Sequence, residues 1–196
     1  MSGYDNIILD PPRERSALPV GKYGNSGTPE LKIVHYNGSK PTKTDDLNRH
    51  SFLVAGLNGV AGTAFLAIQV KDAWLSPEAV SLAFGTPAGE LGTTEQNVAT
   101  FRASFLEQAA ARAVANNTPE EAMEQATQTA YDNLLTQIRI NVGSIFRLQD
   151  WAGQPRDPQT DWQSLVGTEF AGSIEAGLSG GTSDVKSVYS RKRAKQ

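Results

Sequence analysis

The sequence predicts a mainly α-helical protein, with a helical bundle core at about residues 50–150 and long extended arms at both ends. Between Thr93 and Asp150 the chain is rich in alanine and repeats apolar residues at helical spacing. Outside that block glycine and proline recur, and both residues interrupt helices. The predicted division is an N-terminal arm (1–48), a helical core (49–151) and a C-terminal arm (152–196).

The N-terminal arm contains five prolines, so it is expected to be extended rather than helical. Two short apolar stretches, Asn6–Leu9 and Leu31–Tyr36, have the composition of strands. The second is followed by Asn37-Gly38, a dipeptide that suits a tight turn with positive φ. The arm therefore has room for a small β-hairpin.

The run from Phe52 to Val70 is nineteen residues long and carries no charge. As a helix it would align small residues four apart, whereas its glycines favour a turn followed by a strand over Ala64–Val70. We expect a buried segment and prefer helix over strand. The length also meets the minimum for a membrane span, so a small membrane-associated protein is an alternative.

Three helix starts follow. Ser76-Pro77-Glu78 combines a capping serine with proline in the first turn and opens a short helix that stops at Gly85. Thr93 with Gln96 forms a predicted capping box for the second helix. Thr118-Pro119 opens the third and longest, whose apolar stripe runs from Met123 to Ile145 and which Gly143-Ser144 is expected to bend or end.

The C-terminal arm is broken by glycine and proline but supplies large apolar residues. We expect these to act as assembly anchors that bury on a neighbouring copy, together with three residues of the N-terminal arm. The predicted anchors are Ile7, Ile8, Leu9, Trp151, Trp162 and Phe170. The chain ends in a basic tip that predicts weak nucleic-acid binding. Its cations are Lys186, Arg191, Lys192, Arg193 and Lys195.

The cysteine and histidine content of the chain gives little support for a catalytic site. The chain has no cysteine, which excludes disulfides, thiolate zinc sites and cysteine nucleophiles. It has two histidines, His35 and His50. His50 follows Asp45 and Asp46, but catalytic groups usually converge from separate elements, so a polar helix cap explains this cluster better. The sequence therefore predicts no enzyme, no metal and no cofactor.

The long third helix resembles the long helix of rod-shaped plant virus coat proteins, which assemble as helical bundles around RNA. The likeness lies in Ala126, Ala130, Asn133-Leu134, Gly143-Ser144 and Arg147 and covers about twenty-five residues. The extended N-terminal arm departs from that family's pattern. The resemblance implies a virion protein and transfers no binding residues.

Charge is divided along the chain, whose net charge is −3. Residues 51–150 hold five Lys/Arg against ten Asp/Glu, while each end is slightly positive. An acidic middle with positive ends suits contacts between copies, or ends that reach toward a polyanion. An acidic chain as a whole argues against free nucleic-acid affinity by a monomer, whereas many weak contacts add in a polymer.

The sequence thus predicts a non-enzymatic structural protein that self-assembles, most plausibly a coat or other virion component of a virus or phage. Expected partners are further copies of the chain, RNA or DNA, and other virion proteins. The start of the chain lacks a signal-peptide pattern, so the expected location is the virion or the host cytoplasm. A helical enzyme or ligand-binding domain with an unrecognised site is the remaining alternative.

Overall fold

A computed structural model describes residues 16–43 and 47–192 of the chain. It contains seven strands: β1 (Gly21–Tyr23), β2 (Leu31–Pro41), β3 (Asn48–Gly56), β4 (Thr63–Val70), β5 (Glu169–Phe170), β6 (Gly172–Ala176) and β7 (Ser183–Val188). The three α-helices are α1 (Pro77–Phe84), α2 (Glu95–Ala115) and α3 (Met123–Ala152). Short 3₁₀ turns lie at Asp72–Leu75, Ala88–Leu91, Glu120–Ala122 and Trp162–Leu165.

The strands form one curled mixed sheet in the order β1-β6-β7-β4-β3-β2-β5. Neighbouring strands are antiparallel except β4 and β7, which are parallel. The helices all come from the stretch between β4 and β5 and pack on one face of the sheet. The predicted mainly helical bundle with extended arms is therefore wrong, because both ends of the chain contribute strands to this sheet.

Residues 52–70 are two antiparallel strands and a turn, so the preference for a helix there is wrong. Alternate residues of β3 and β4 are buried, among them Phe52, Val54, Leu66 and Ile68. This period of two lets one face of the hairpin join the core, which a helix could not do with the same residues. The turn uses Asn58 and Gly59, both with positive φ. Across residues 16–43 and 47–192, no helix combines the length and apolar character that a membrane crossing requires.

The part of the N-terminal arm that the structure describes is paired over most of its length. β2 pairs with β3 over eight residue pairs, and β1 pairs with β6. The small hairpin expected within this arm is not formed by its described residues, because β1 and β2 do not pair with each other and β2 pairs instead with β3 and β5. Asn37-Gly38 is not a hairpin turn. The dipeptide lies inside β2 at a register shift between Tyr36 and Ser39, where Gly38 has a φ of 88°. The positive φ of Gly38 therefore belongs to a β-bulge and not to a turn.

The helix starts were predicted to within two residues for α1 and α2. Ser76 caps α1 by accepting a hydrogen bond from the Ala79 amide at 3.2 Å, and Gly85 ends the helix with φ 68°. Thr94, one residue after the predicted Thr93, caps α2. The third start is displaced, because Pro119 precedes a 3₁₀ turn and α3 begins at Met123.

Helix α3 continues through Gly143 to Ala152, so the bend or end expected at Gly143-Ser144 is absent. A Cβ built on Gly143 would lie 3.8 Å from the Phe84 ring of α1 and 3.4 Å from Arg147. These are ordinary van der Waals distances, so the helix has room for a small side chain at this position.

The core lies between the sheet and the C-terminal half of α3. Ile138, Val142, Ile145 and Leu148 of α3 are fully buried against the inward residues of the sheet. Burying each of these side chains stabilises the fold by roughly 1.5–3 kcal/mol relative to leaving it in water. The apolar stripe that the sequence predicts on this helix is therefore the surface that holds helices and sheet together.

Replacing Ile145 by alanine is expected to lower the free energy of unfolding by about 2–5 kcal/mol, because it leaves a cavity in this core. Ile140 lies on the same helix with 53% of its surface exposed, so Ile140→Ala is the matched control. Its effect should stay within about 0.5 kcal/mol. Urea denaturation followed by circular dichroism measures both, and equal losses would contradict this account of the core.

Candidate functional site

The predicted assembly anchors divide into two groups. Ile7, Ile8 and Leu9 lie outside the described residues. Trp151 and Phe170 belong to the core of the chain itself, and the Trp151 indole N–H donates to the Tyr189 carbonyl at 2.8 Å. The two aromatic residues are therefore buried within their own chain. The sequence did not reveal that the C-terminal part would fold onto the core as strands β5 to β7.

Three cations of the predicted basic tip, Lys186, Arg191 and Lys192, lie among the described residues. Lys186 forms an ion pair with Glu175 at 3.3 Å. Arg191 donates to the Asp150 carbonyl at 3.0 Å and lies 5.8 Å from the Trp151 ring, so it neutralises the C-terminal end of α3. Lys192 is exposed, whereas Arg193 and Lys195 lie outside the described residues. Two of the five predicted cations thus have partners within the chain.

The buried His50 and the half-buried Trp162 form an aromatic stack on the inward face of the sheet. Their rings are 3.6 Å apart and nearly parallel, at 12°. Tyr36 also contributes, with its hydroxyl 2.8 Å from His50 Nδ1. Trp162, the remaining predicted anchor, therefore fixes its 3₁₀ turn to β3. The alternation of His50 with Phe52 and Val54 is the sequence pattern that could have identified His50 as a core residue.

Burial sets the protonation behaviour of this stack. It lowers the pKa of His50 because the charged imidazolium loses water, while the Asp72 carboxylate partly opposes that shift. Burial also raises the pKa of the Tyr36 hydroxyl. His50 is therefore favoured as a neutral ring, able to accept from or donate to Tyr36. The aspartates that the sequence places before it, Asp45 and Asp46, lie outside the described residues.

A groove of about 420 Å³ opens between α2, α3 and the 3₁₀ turn after β4, and we call it the α2–α3 groove. Its apolar lining consists of Leu47, Ala73, Trp74, Phe105, Ala109, Ala130 and Leu134. The groove was missed in the sequence because its residues come from four separate elements. The helical spacing of Phe105, Ala109 and Arg112 indicated only that these three residues share one face of α2.

Two cations, Lys71 and Arg112, also line the α2–α3 groove. They are two of the five Lys/Arg in the acidic stretch 51–150. Neither forms an ion pair within 4 Å with a carboxylate of the described residues. An apolar floor with two uncompensated cations suits an apolar chain segment that carries acidic residues.

Among residues 16–43 and 47–192, no group of three or more His, Cys, Asp or Glu side chains is placed to hold a metal ion. Comparison of the chain with protein-family models, with curated proteins and with solved structures finds no match. The function is therefore argued from the surfaces of the chain itself.

The stability of the fold should fall as the pH drops through 6.5, the ordinary pKa of a histidine side chain. Because the folded-state pKa of His50 lies below its ordinary value of 6.5, the unfolded chain takes up the proton first. The loss should begin as the pH falls through 6.5 and level off below the folded-state pKa.

Urea denaturation at a series of pH values measures this loss. His50→Gln should remove most of it, whereas the same change at the exposed His35 should leave it in place. If the free energy of unfolding depended on pH identically in the wild type and in His50→Gln, protonation of His50 would not be the cause of the loss.

Proposed function

We propose that this chain is a non-enzymatic structural protein that self-assembles, and that the N-terminal segment of one copy binds the α2–α3 groove of another. The class of assembly that we propose is the particle of a virus or phage, in which the chain serves as a coat or other virion component. The single observation that carries the proposal is the match between the groove and residues 5–10.

Residues 5–10 read Asp-Asn-Ile-Ile-Leu-Asp. Three consecutive large apolar residues would fill the floor of the groove, and the aspartates at each end would meet Lys71 and Arg112. Complementary charge at both ends of an apolar anchor favours one register and one partner. The chemistry of both surfaces therefore supports pairing between them.

The route of the chain favours the groove of a neighbouring copy. The Thr63 amide donates to the Ser16 carbonyl at 2.9 Å, and Ala17 bridges Thr63 in parallel, so the chain enters the fold at the start of β4 and runs in the direction of that strand. Lys71, which lines the groove, follows the other end of β4, about 26 Å away for eight residues.

Ile8 is eight residues before Ser16, which allows a reach of at most about 28 Å even when the chain is fully extended. Because Ala17 bridges Thr63 in parallel, a path from Ser16 back to the groove of the same copy would require the chain to reverse its direction before Ser16. The remaining length does not allow both. Binding between copies therefore fits the covalent geometry better than binding within one copy.

Contacts of this kind are heterologous: each copy offers a segment to one neighbour and a groove to another. Such contacts close into rings or continue as filaments, according to the rotation between copies. That property supports a particle-building role. The aromatic residues of the C-terminal part, which pack inside their own chain, give the proposal no support.

Two complementary variants test the exchange. A segment variant, Ile7→Ser/Ile8→Ser/Leu9→Ser, keeps an intact groove, and a groove variant, Lys71→Glu/Arg112→Glu, keeps an intact segment. Each alone is expected to elute as a monomer in size exclusion with light scattering, at concentrations where the wild type is oligomeric. Mixed together, they should form a 1:1 complex, because one supplies the groove and the other the segment.

The matched control is Lys22→Glu/Lys192→Glu, which reverses two exposed cations away from the groove and should assemble like the wild type. Reversing the aspartates as well, with Asp5→Lys/Asp10→Lys in the groove variant, should restore assembly. A monomeric wild type, or a mixture in which both variants stay monomeric, would refute the exchange of segments between copies.

A further inference from the structure

The face of the sheet opposite the helices carries a cleft of about 460 Å³, which we call the sheet-face cleft. Its floor is formed by outward residues of β2, β3 and β4, and one wall is the turn between β6 and β7. The side chains that matter to its chemistry are Lys40, Arg49, Ser51, Phe65, Leu178 and Asp184. It shares no residue with the α2–α3 groove.

Lys40 and Arg49 are directly opposed cross-strand partners on β2 and β3. Both side chains are exposed, and neither forms an ion pair with a carboxylate of the described residues within 4 Å. Like charges directly opposite each other destabilise a sheet, because their Cβ atoms are only about 5 Å apart. An anion bound between them would remove that repulsion.

Phe65 gives the cleft an aromatic surface. It points outward from β4 and keeps 38% of its surface exposed, although it lies in the middle of the sheet between β3 and β7. Leu178, in the turn between β6 and β7, is fully exposed on the opposite wall. A half-exposed ring with an apolar residue across the cleft is suited to holding a flat ligand by stacking.

The cations and the ring are spaced for an extended polyanion. Phe65 is opposite Leu53, which lies four residues along β3 from Arg49. That separation is about 13 Å, the scale of a few nucleotides. A phosphate at Lys40 and Arg49 and a stacked base at Phe65 would then belong to different nucleotides of one strand.

We propose that the sheet-face cleft binds single-stranded nucleic acid, with backbone phosphates at Lys40 and Arg49 and a base stacked on Phe65. A single strand is favoured because a paired base has both faces covered by its neighbours in the duplex, so it offers no face to the ring. The carboxylate of Asp184, next to Phe65, accepts a hydrogen bond from an exocyclic amino group of a base. This site is distinct from the predicted basic tip and goes beyond self-assembly.

Fluorescence anisotropy with a labelled single-stranded oligonucleotide of about twenty nucleotides tests the site in the full chain. Wild type should bind at about 50 mM NaCl and weaken toward about 200 mM. Lys40→Gln/Arg49→Gln should raise Kd more than tenfold and reduce the slope of log K against log salt by about 1.4, since two phosphate contacts are lost. Phe65→Leu should raise Kd by about five- to 150-fold with the slope unchanged.

Three controls separate this site from general charge effects. Lys22→Gln removes an exposed cation of β1 and should leave Kd within about twofold. The tip variant Lys186→Gln/Arg191→Gln/Lys192→Gln should cost less affinity than the double variant in the cleft. A duplex of the same length should bind more weakly than the single strand and should lose nothing further in Phe65→Leu.

The proposal is overturned if wild type does not bind the oligonucleotide at low salt, or if the tip variant loses as much affinity as the cleft variant. It is also overturned if Lys40→Gln/Arg49→Gln changes only the oligomeric mass, which would assign the cleft to an acidic surface of another copy. Circular dichroism melting of each variant excludes unfolding as a cause. Binding is measured with both the wild type and the monomeric segment variant, whose net charge is unchanged, so failure of assembly and failure of this site are distinguishable.

Discussion

The packing of one helix stripe against the inward face of the sheet is the interaction on which the rest of the molecule depends. Val54, Ile68 and their neighbours meet Ile138, Val142 and Ile145 with little or no surface left exposed. Because the strands nearest the two ends of the chain pair into the same sheet, this contact also brings residues 16–43 and 169–188 into one core. Without it the alternating residues of β2 to β4 would have no apolar surface to cover them.

The length of α3 explains where the α2–α3 groove arises. Thirty residues span about 45 Å, which is more than an eight-residue strand covers. The C-terminal half of α3 therefore lies on the sheet, while its N-terminal half pairs with α2. Two helices alone cannot cover all of each other's apolar residues, so Leu134 stays half-buried and the groove remains open.

The sequence predicted local features better than the arrangement of the chain. Caps such as Ser76 depend on a few adjacent residues, and the start of α1 was located correctly. The run 52–70 was misassigned because its small residues fit a helix face as readily as a sheet. The choice was decided by partners up to 25 residues away in β2 and more than 100 away in β7. Tertiary pairing overrides local preference in such segments.

The sequence did not indicate the two candidate surfaces either, because tertiary pairing brings their residues together. Lys40 and Arg49 become opposed only through the register of β2 and β3, which includes two bulges that no short motif encodes. The basic tip stood out in the sequence because its five cations lie within ten residues, yet the fold gives Lys186 and Arg191 partners of their own. The clustering of charge in the sequence therefore drew attention to two cations that have partners in the fold, whereas strand register opposed Lys40 and Arg49, which form no ion pair with a described carboxylate.

The two proposed surfaces reinforce each other through mass action rather than through contact. Two phosphate contacts and one stacked base give a single copy modest affinity, and the net charge of −3 opposes a polyanion at long range. The segment exchange that we propose would occupy the groove, which shares no lining residue with the sheet-face cleft. An assembly would then present one cleft per copy along the same strand, and the effective concentration of each next contact would rise with every copy added. Under these two proposals, weak binding by each copy would tie nucleic-acid binding to the assembled state.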